Sequence, residues 1–72
     1  MNNHLLLKNN IREFRQKKGL TQRDLARLVG CSKNTIYSLE TYQFSPSAYL
    51  AFLLCTVLDC SFDDLFYLSL HL

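Results

Sequence analysis

The 72-residue chain lacks several features that would point to particular classes of protein. It has no tryptophan, one proline and two glycines, and no apolar run approaches the roughly 20 residues that a membrane-spanning helix needs. Its first residues lack the basic start of a secretion signal, so we expect a cytoplasmic protein without membrane contact. The length predicts one domain, residues 1–72, whose single modest core leaves no cleft between domains.

Residues that commonly bind metals or perform catalysis are few and scattered. Cys31, Cys55 and Cys60 are odd in number and show no C-x-x-C spacing, which argues against a disulfide framework and a zinc site. His4 and His71 could approach each other only if the two chain ends pair, and two histidines alone form a poor metal site. We therefore expect no enzyme activity, no metal and no cofactor.

Charge is distributed unevenly along the chain. Residues 1–44 carry all eight lysines and arginines against three acidic residues, whereas residues 45–72 carry three aspartates and no basic residue. This separation suggests one face for a polyanion and another face for something else. An ordinary solvated surface with an accidental asymmetry is the alternative, and charge alone does not decide between the two.

The stretch from 21 to 40 organises the rest, because it is typical of two short helices joined by a tight turn. Thr21 is a good N-cap for a helix over Gln22–Val29, and the glycine that follows can end this helix in a left-handed conformation. Ser32 is the N-cap of a second helix, Lys33–Glu40. Helix, glycine-containing turn and helix, in that order, predict a helix-turn-helix.

Three further helices are predicted around this unit. The first covers residues 11–18 and is capped by Asn9 or Asn10, and the fourth covers residues 47–58. Ser61 caps a fifth helix. The apolar residues of this last helix are expected to pack inward: Phe62, Leu65 and Phe66.

The two chain ends show a different pattern. Residues 68–72 alternate apolar with polar side chains, which is the period of a strand, and the only plausible partner is the Leu5–Leu7 segment. We predict a mainly α fold of five helices with a small antiparallel two-stranded sheet that joins the ends. Frayed termini are the alternative.

With these elements in place, the sequence resembles the lambda-repressor/Cro-like helix-turn-helix family, also called the XRE family. The resemblance runs from about residue 10 to residue 66 and rests on several residues at fixed spacing. They are Gly19-Leu20-Thr21-Gln22, Leu25-Ala26, Gly30, Ser32, Thr35-Ile36, Leu39-Glu40, Pro46-Ser47 and Leu65-Phe66.

The resemblance implies that the second helix of the motif enters the major groove of DNA and that its N-terminal residues meet base edges. Lys33 could donate to guanine acceptors, Asn34 could pair with adenine, and Thr35 could contact a thymine methyl group or a phosphate. The full set of residues expected at the bases is Ser32, Lys33, Asn34, Thr35, Tyr37 and Ser38.

The resemblance also implies a set of DNA phosphate contacts and a structural ion pair. The phosphate contacts are Gln22, Arg23, Gln43 and Arg12, with Lys8 as a weaker candidate. The ion pair joins Arg15 to Glu40.

Tyr42 departs from the family pattern, which commonly has glycine or asparagine at this position. A left-handed backbone would strain a tyrosine there, and any other backbone would put the role of Gln43 in doubt.

A second departure concerns the fourth helix, which is apolar almost all round and is therefore expected to be buried on two sides. A 72-residue monomer cannot supply a second core, so we expect a homodimer through residues 47–72. The predicted interface consists of Tyr49, Leu53, Val57, Cys60 and Leu70.

These observations predict a sequence-specific, dimeric, DNA-binding transcriptional regulator that represses by occupying a palindromic operator. Two alternatives remain at this point. One is an antitoxin-like module that binds a toxin and its own operator, and the other is a protein-interaction adaptor that uses the fourth helix.

Overall fold

The computed structural model describes residues 5–70 and contains five helices and two strands over this range. In chain order they are β1 (Leu5–Asn9), α1 (Ile11–Lys17), α2 (Gln22–Val29), α3 (Lys33–Glu40), α4 (Ala48–Leu58), α5 (Phe62–Leu65) and β2 (Phe66–Leu70). The mainly α fold with a two-stranded sheet is therefore confirmed, and α2 and α3 begin and end where the sequence predicted.

Side-chain caps explain where four of the helices begin. The hydroxyl of the N-cap residue accepts the amide hydrogen three residues later at α2, α3, α4 and α5. The four capping residues are Thr21, Ser32, Ser47 and Ser61. At its other end, α2 stops at Gly30, whose φ of 79° is left-handed and costs glycine little.

The core lies where α2 and α3 pack against α1, α4 and the start of β2. Seven large side chains are fully buried: Ile11, Leu25, Ile36, Leu39, Leu54, Leu58 and Leu65. Burial of a large aliphatic side chain contributes roughly 1.5–3 kcal/mol, so this cluster holds the helix-turn-helix in a fixed geometry.

β1 and β2 pair in an antiparallel sheet, as predicted from the alternating pattern at the chain ends. The register places Asn9 opposite Phe66 at the buried end and Leu5 opposite Leu70 at the outer end. His71 and Leu72, which the predicted strand included, lie outside the described residues.

Asn9 fixes the sheet to the helices. Its side-chain amide donates to the carbonyl oxygen of Leu39 at 2.8 Å, and its Oδ1 accepts the amide hydrogen of Ile11 at 3.1 Å. Asn10 occupies the N-cap position of α1, but its side chain makes no capping hydrogen bond. Of the two asparagines that the sequence offered as caps, Asn9 is therefore the one whose side chain bonds to the start of α1.

The inward packing expected for Phe62 was wrong. Phe62 is 53% exposed, although the centre of its ring lies 4.8 Å from the ring centre of the buried Phe66. Because α5 is a single turn and the chain becomes extended at Phe66, the inward positions go to Leu65 and Phe66.

Candidate nucleic-acid interface

The outer surface of α3 carries three exposed side chains, Lys33, Asn34 and Tyr37. They face outward because Ile36 and Leu39, on the opposite side of the same helix, are fully buried in the core. The helix therefore presents a positive charge, an amide and a phenol near its N-terminus.

Two other residues predicted to read bases take part in the cap of α3. The Ser32 hydroxyl accepts the Thr35 amide hydrogen at 3.1 Å and lies 3.0 Å from the Thr35 hydroxyl. Thr35 and Ser38 are half-buried, so they are less accessible to a ligand than the exposed Lys33 and Asn34.

A polar network centred on Glu40 lies at the C-terminal end of α3. The Glu40 carboxylate accepts hydrogen bonds from Nε of Arg15 at 2.7 Å and from Nη2 of the same residue at 3.2 Å. Its side chain is only 1% exposed, and Nη1 of Arg15 also donates to the Leu20 carbonyl at 2.9 Å. Arg15 and Glu40 thus form a bidentate, buried ion pair that joins α1 to α3.

Two predicted phosphate contacts also approach this carboxylate. Nε2 of Gln22 donates to Glu40 at 3.0 Å, and Nε of Arg12 lies 3.8 Å away from it. The amide nitrogen of Gln22 has a second hydrogen that this bond does not use. The network therefore holds the start of α2 against the end of α3 and orients Gln22.

The start of α2 borders a shallow depression of about 490 Å³. Gln22, Arg23 and Lys33 all line it, so the structure brings two predicted phosphate contacts next to a predicted base contact. A helix N-terminus with nearby cations is a favourable place for an anion.

The loop after α3 begins with Tyr42 in the left-handed region, at φ 64°. Its amide donates to the Leu39 carbonyl at 3.1 Å, and the Gln43 amide donates to the Ser38 carbonyl at 2.9 Å. These two bonds form a Schellman motif, in which glycine usually takes the position of Tyr42.

Tyr42 interacts with one residue from each strand of the sheet. Nζ of Lys8 lies 5.3 Å from the centre of its ring. A side-chain hydrogen bond with Tyr67, followed by burial, raises the pKa of Tyr42. Lys8 and Tyr67 are opposite each other in the sheet, so one cross-strand pair contacts one loop residue. Gln43 itself is exposed, and its Nε2 donates to the Thr41 hydroxyl at 2.9 Å.

The residues predicted to form a dimer interface differ in their exposure. Tyr49 is 75% exposed on α4, whereas Leu53 and Val57 are half-buried and pack against the core. Cys60 lines a different region, a depression of about 810 Å³ between α4 and α5. Leu70 is exposed at the outer end of β2.

Sequence reasoning missed the most exposed aromatic residue of α4. Phe52 is 76% exposed and lines the depression between α4 and α5 together with Phe62. Asp59 and Asp64 also line this depression and give it a negative rim. Phe52 lies three residues after Tyr49 on the same helix, and this spacing could have indicated that both side chains point outward.

The described residues, 5–70, show no group of three or more histidine, cysteine, aspartate or glutamate side chains that could hold a metal, and His4 and His71 lie outside this range. Within the same range no helix is long and apolar enough to span a bilayer. Burial raises the pKa of the Cys31, Cys55 and Cys60 thiols, which keeps them protonated and poorly nucleophilic.

Comparison with known proteins identifies the same family that the sequence resembles. The helix-turn-helix family model matches residues 11–65. An uncharacterized HTH-type transcriptional regulator from Archaeoglobus fulgidus is 42% identical over 60 residues, which cover 83% of this chain and 86% of that protein.

Solved structures extend this similarity to the fold. The P22 c2 repressor, in complex with a synthetic operator, matches with a TM-score of 0.71 and 32% identity, over 74% of this chain and 80% of that chain. The restriction-modification controller protein C.AhdI from Aeromonas hydrophila matches with a TM-score of 0.69 and 33% identity, over 75% of this chain and 82% of that chain. The chain therefore belongs to the helix-turn-helix family of DNA-binding transcriptional regulators.

Proposed function

We propose that this protein is a transcriptional repressor that binds a palindromic operator as a homodimer and reads it with α3. The observation that carries the proposal is the surface of α3, where Lys33, Asn34 and Tyr37 are exposed while Ile36 and Leu39 of the same helix are buried in the core. The buried Arg15–Glu40 pair fixes the last residue of this helix against α1. The similar P22 c2 repressor, solved with a synthetic operator, supports DNA as the ligand.

The side chains of α3 match the chemistry of the major groove. Lys33 is a donor for the O6 and N7 acceptors of guanine, and the Asn34 amide can both donate to and accept from adenine. Ser32, Thr35 and Ser38 lie around them, and Tyr37 extends the same surface by one turn.

Gln22, Arg23, Arg12 and Gln43 are proposed as the phosphate contacts. They lie at the start of α2, on the exposed side of α1 and in the loop after α3. Contacts of this kind fix the register of α3 on the duplex and carry no sequence information themselves.

Residues 47–72 are proposed as the dimerisation region. Apolar side chains exposed on α4 and on the outer part of the sheet, including Tyr49 and Leu70, need a partner that covers them. A second copy related by a two-fold axis would place two α3 helices about 34 Å apart, one in each half of a palindrome. Such a dimer on a promoter would exclude polymerase.

The salt dependence of DNA binding tests the proposed phosphate contacts. Because each neutralised phosphate releases counterions, affinity for duplex DNA should fall steeply with salt, and Arg23→Gln should reduce the slope of log K against log salt by about 1. Arg27→Gln, the same change at the other end of α2, is the control and should leave the slope unchanged. Equal slopes for all three proteins would contradict the assignment of Arg23.

Glutamate substitutions on α4 test the dimer. Tyr49→Glu, at the more exposed position, should give a folded monomer with much weaker operator binding, because a charge at the interface must be desolvated. Leu53→Glu should also prevent dimerisation, at some cost in stability because Leu53 packs against the core. Leu28→Glu changes an exposed leucine on α2 and should remain dimeric. Sedimentation equilibrium measures the oligomeric state, and variants at both α4 positions that stay dimeric would reject this interface.

The depression between α4 and α5 favours a second candidate function, an antitoxin-like or adaptor role. Phe52 and Phe62 give it an apolar wall and Asp59 and Asp64 a negative rim, which would suit a partner protein. An apolar contact of this kind would persist at high salt, whereas DNA binding would not.

A further inference from the structure

A tyrosine occupies the one position after α3 that would favour glycine. Tyr42 has a φ of 64°, a region that side-chain-bearing residues rarely adopt. Such a conformation persists only where the surroundings determine it, and residues of this kind cluster at functional sites. The surroundings of Tyr42 therefore need an explanation.

Side chains of the terminal sheet interact with Tyr42 and can hold it in this conformation. Lys8 places its ammonium group over the ring of Tyr42 at 5.3 Å, within the range of a cation–π contact. The side chain of Tyr42 also interacts with Tyr67, which lies opposite Lys8 in the sheet, and this interaction raises the pKa of Tyr42. A glycine could make neither contact, so the tyrosine ties the loop to the sheet at the expense of backbone strain.

The next residue is the proposed phosphate contact Gln43. Its backbone amide is bonded to the Ser38 carbonyl at 2.9 Å, and its side-chain amide donates to Thr41 at 2.9 Å. The Thr41 hydroxyl in turn donates to the Tyr37 carbonyl at 2.9 Å. The Gln43 amide nitrogen keeps a second hydrogen for an acceptor outside the protein.

We propose that Tyr42 is a positioning residue for DNA binding: it joins the loop after α3 to the terminal sheet and so holds Gln43 in place for a phosphate. The inference rests on the proposed function and extends it, because it assigns the sheet a part in the DNA interface. β1 and β2 then do more than close the chain, since they set the conformation of a loop that lies next to the reading helix.

A double-mutant cycle tests this coupling. The probe is a duplex of the sequence that the native protein selects from a random pool, and all variants are checked for folding by circular dichroism at the assay temperature. Gln43→Ala should weaken binding about fivefold, the size expected for the loss of one hydrogen bond. Tyr42→Gly, which suits the left-handed backbone, should weaken it by a similar or smaller factor.

The double variant decides the matter. If Tyr42 acts through Gln43, Tyr42→Gly should have no further effect in the Gln43→Ala background, and neither change should alter the salt slope, because both side chains are uncharged. Independent, multiplicative effects of the two changes would overturn the proposal, as would native affinity in Tyr42→Gly.

Two variants in the sheet provide a matched comparison. Tyr67→Phe removes the hydroxyl that interacts with Tyr42 and should weaken binding about twofold, the lower end of the effect of losing one hydrogen bond. Ser69→Ala removes a hydroxyl two residues further along the same face of β2 and should bind as the native protein does. Equal behaviour of these two variants would count against a role of the sheet.

The outcomes separate this inference from the function on which it rests. If Lys33→Ala loses binding while Gln43→Ala binds as the native protein does, α3 still reads the bases. This result would overturn only the proposed role of Tyr42 and Gln43. A folded native protein that selects no sequence from the pool would overturn both.

Discussion

Glu40 is the side chain on which the candidate interface depends most. It is buried at the end of α3, pairs with Arg15 from α1 and accepts a hydrogen bond from Gln22 of α2. One carboxylate therefore connects three helices, all of which carry proposed DNA contacts. Among the described residues, no buried side-chain nitrogen or oxygen lacks a hydrogen-bond partner, which shows that the network is complete.

Glu40→Ala should destabilise the protein by about 3–5 kcal/mol, because Arg15 would remain buried without a counter-charge. Urea unfolding followed by circular dichroism measures the change. Glu13→Ala, at an exposed position of α1, is the control and should stay within about 0.5 kcal/mol of the native value. A loss below about 1 kcal/mol in Glu40→Ala would mean that the pair contributes little.

The pairing of Arg15 with Glu40 could be expected from the family resemblance, but the involvement of Gln22 could not. The two residues are 18 positions apart and belong to different helices, so their contact depends on how α2 packs against α3. The conformation of Tyr42 was likewise open, because the side chains that interact with it, Lys8 and Tyr67, are far away in the sequence.

Capping residues made the bounds of the central helices predictable. Thr21 and Asp24 form a reciprocal capping box at α2, in which each side chain accepts the backbone amide hydrogen of the other at 3.0 Å. A cap is local in sequence, so a reader of the sequence can find it without knowledge of the fold.

Thr21→Ala should lower the free energy of unfolding by about 1 kcal/mol, whereas Thr21→Ser keeps the hydroxyl and should lose much less. The same box predicts a dependence on pH. The hydrogen bond from the Thr21 backbone, followed by that from its side chain, lowers the pKa of Asp24 from its ordinary value of 3.8.

Because the folded-state pKa of Asp24 lies below the unfolded one, its contribution to stability is present above pH 3.8 and is lost as the pH falls through the folded value. Asp24→Asn should remove this part of the acid dependence in urea unfolding at pH 2–6. An unchanged pH profile in this variant would contradict the assignment.

The orientation of α4 could not be predicted in the same way. Since the helix is apolar on almost every side, its periodicity does not reveal which side is the core. Packing against α1 and α2 selects Ala51, Leu54 and Leu58 for burial and leaves Tyr49 and Phe52 outside. Leu53 and Val57, which the sequence assigned to a partner, already contact the core of the monomer.

Basic side chains are confined to the first 44 residues, whereas exposed apolar side chains occur in both halves of the described chain. Lysines and arginines occur only in residues 1–44, which include the helix-turn-helix, while α4, α5 and β2 carry aspartates and exposed aromatic or leucine side chains. The charge separation suits a molecule that binds a polyanion with its basic half and a protein surface with its other half. The sequence showed the charge separation, but only the fold shows that the apolar residues remain uncovered.

Selection of bound sequences from a random duplex pool tests the central claim, that α3 reads DNA in a dimer. We expect the native protein to enrich a palindromic consensus, and Lys33→Ala and Asn34→Ala each to relax the preference at a matching position in both half-sites, since each good base contact contributes about 1–3 kcal/mol of discrimination. A folded protein that enriches no sequence, or variants that keep the full consensus, would contradict it.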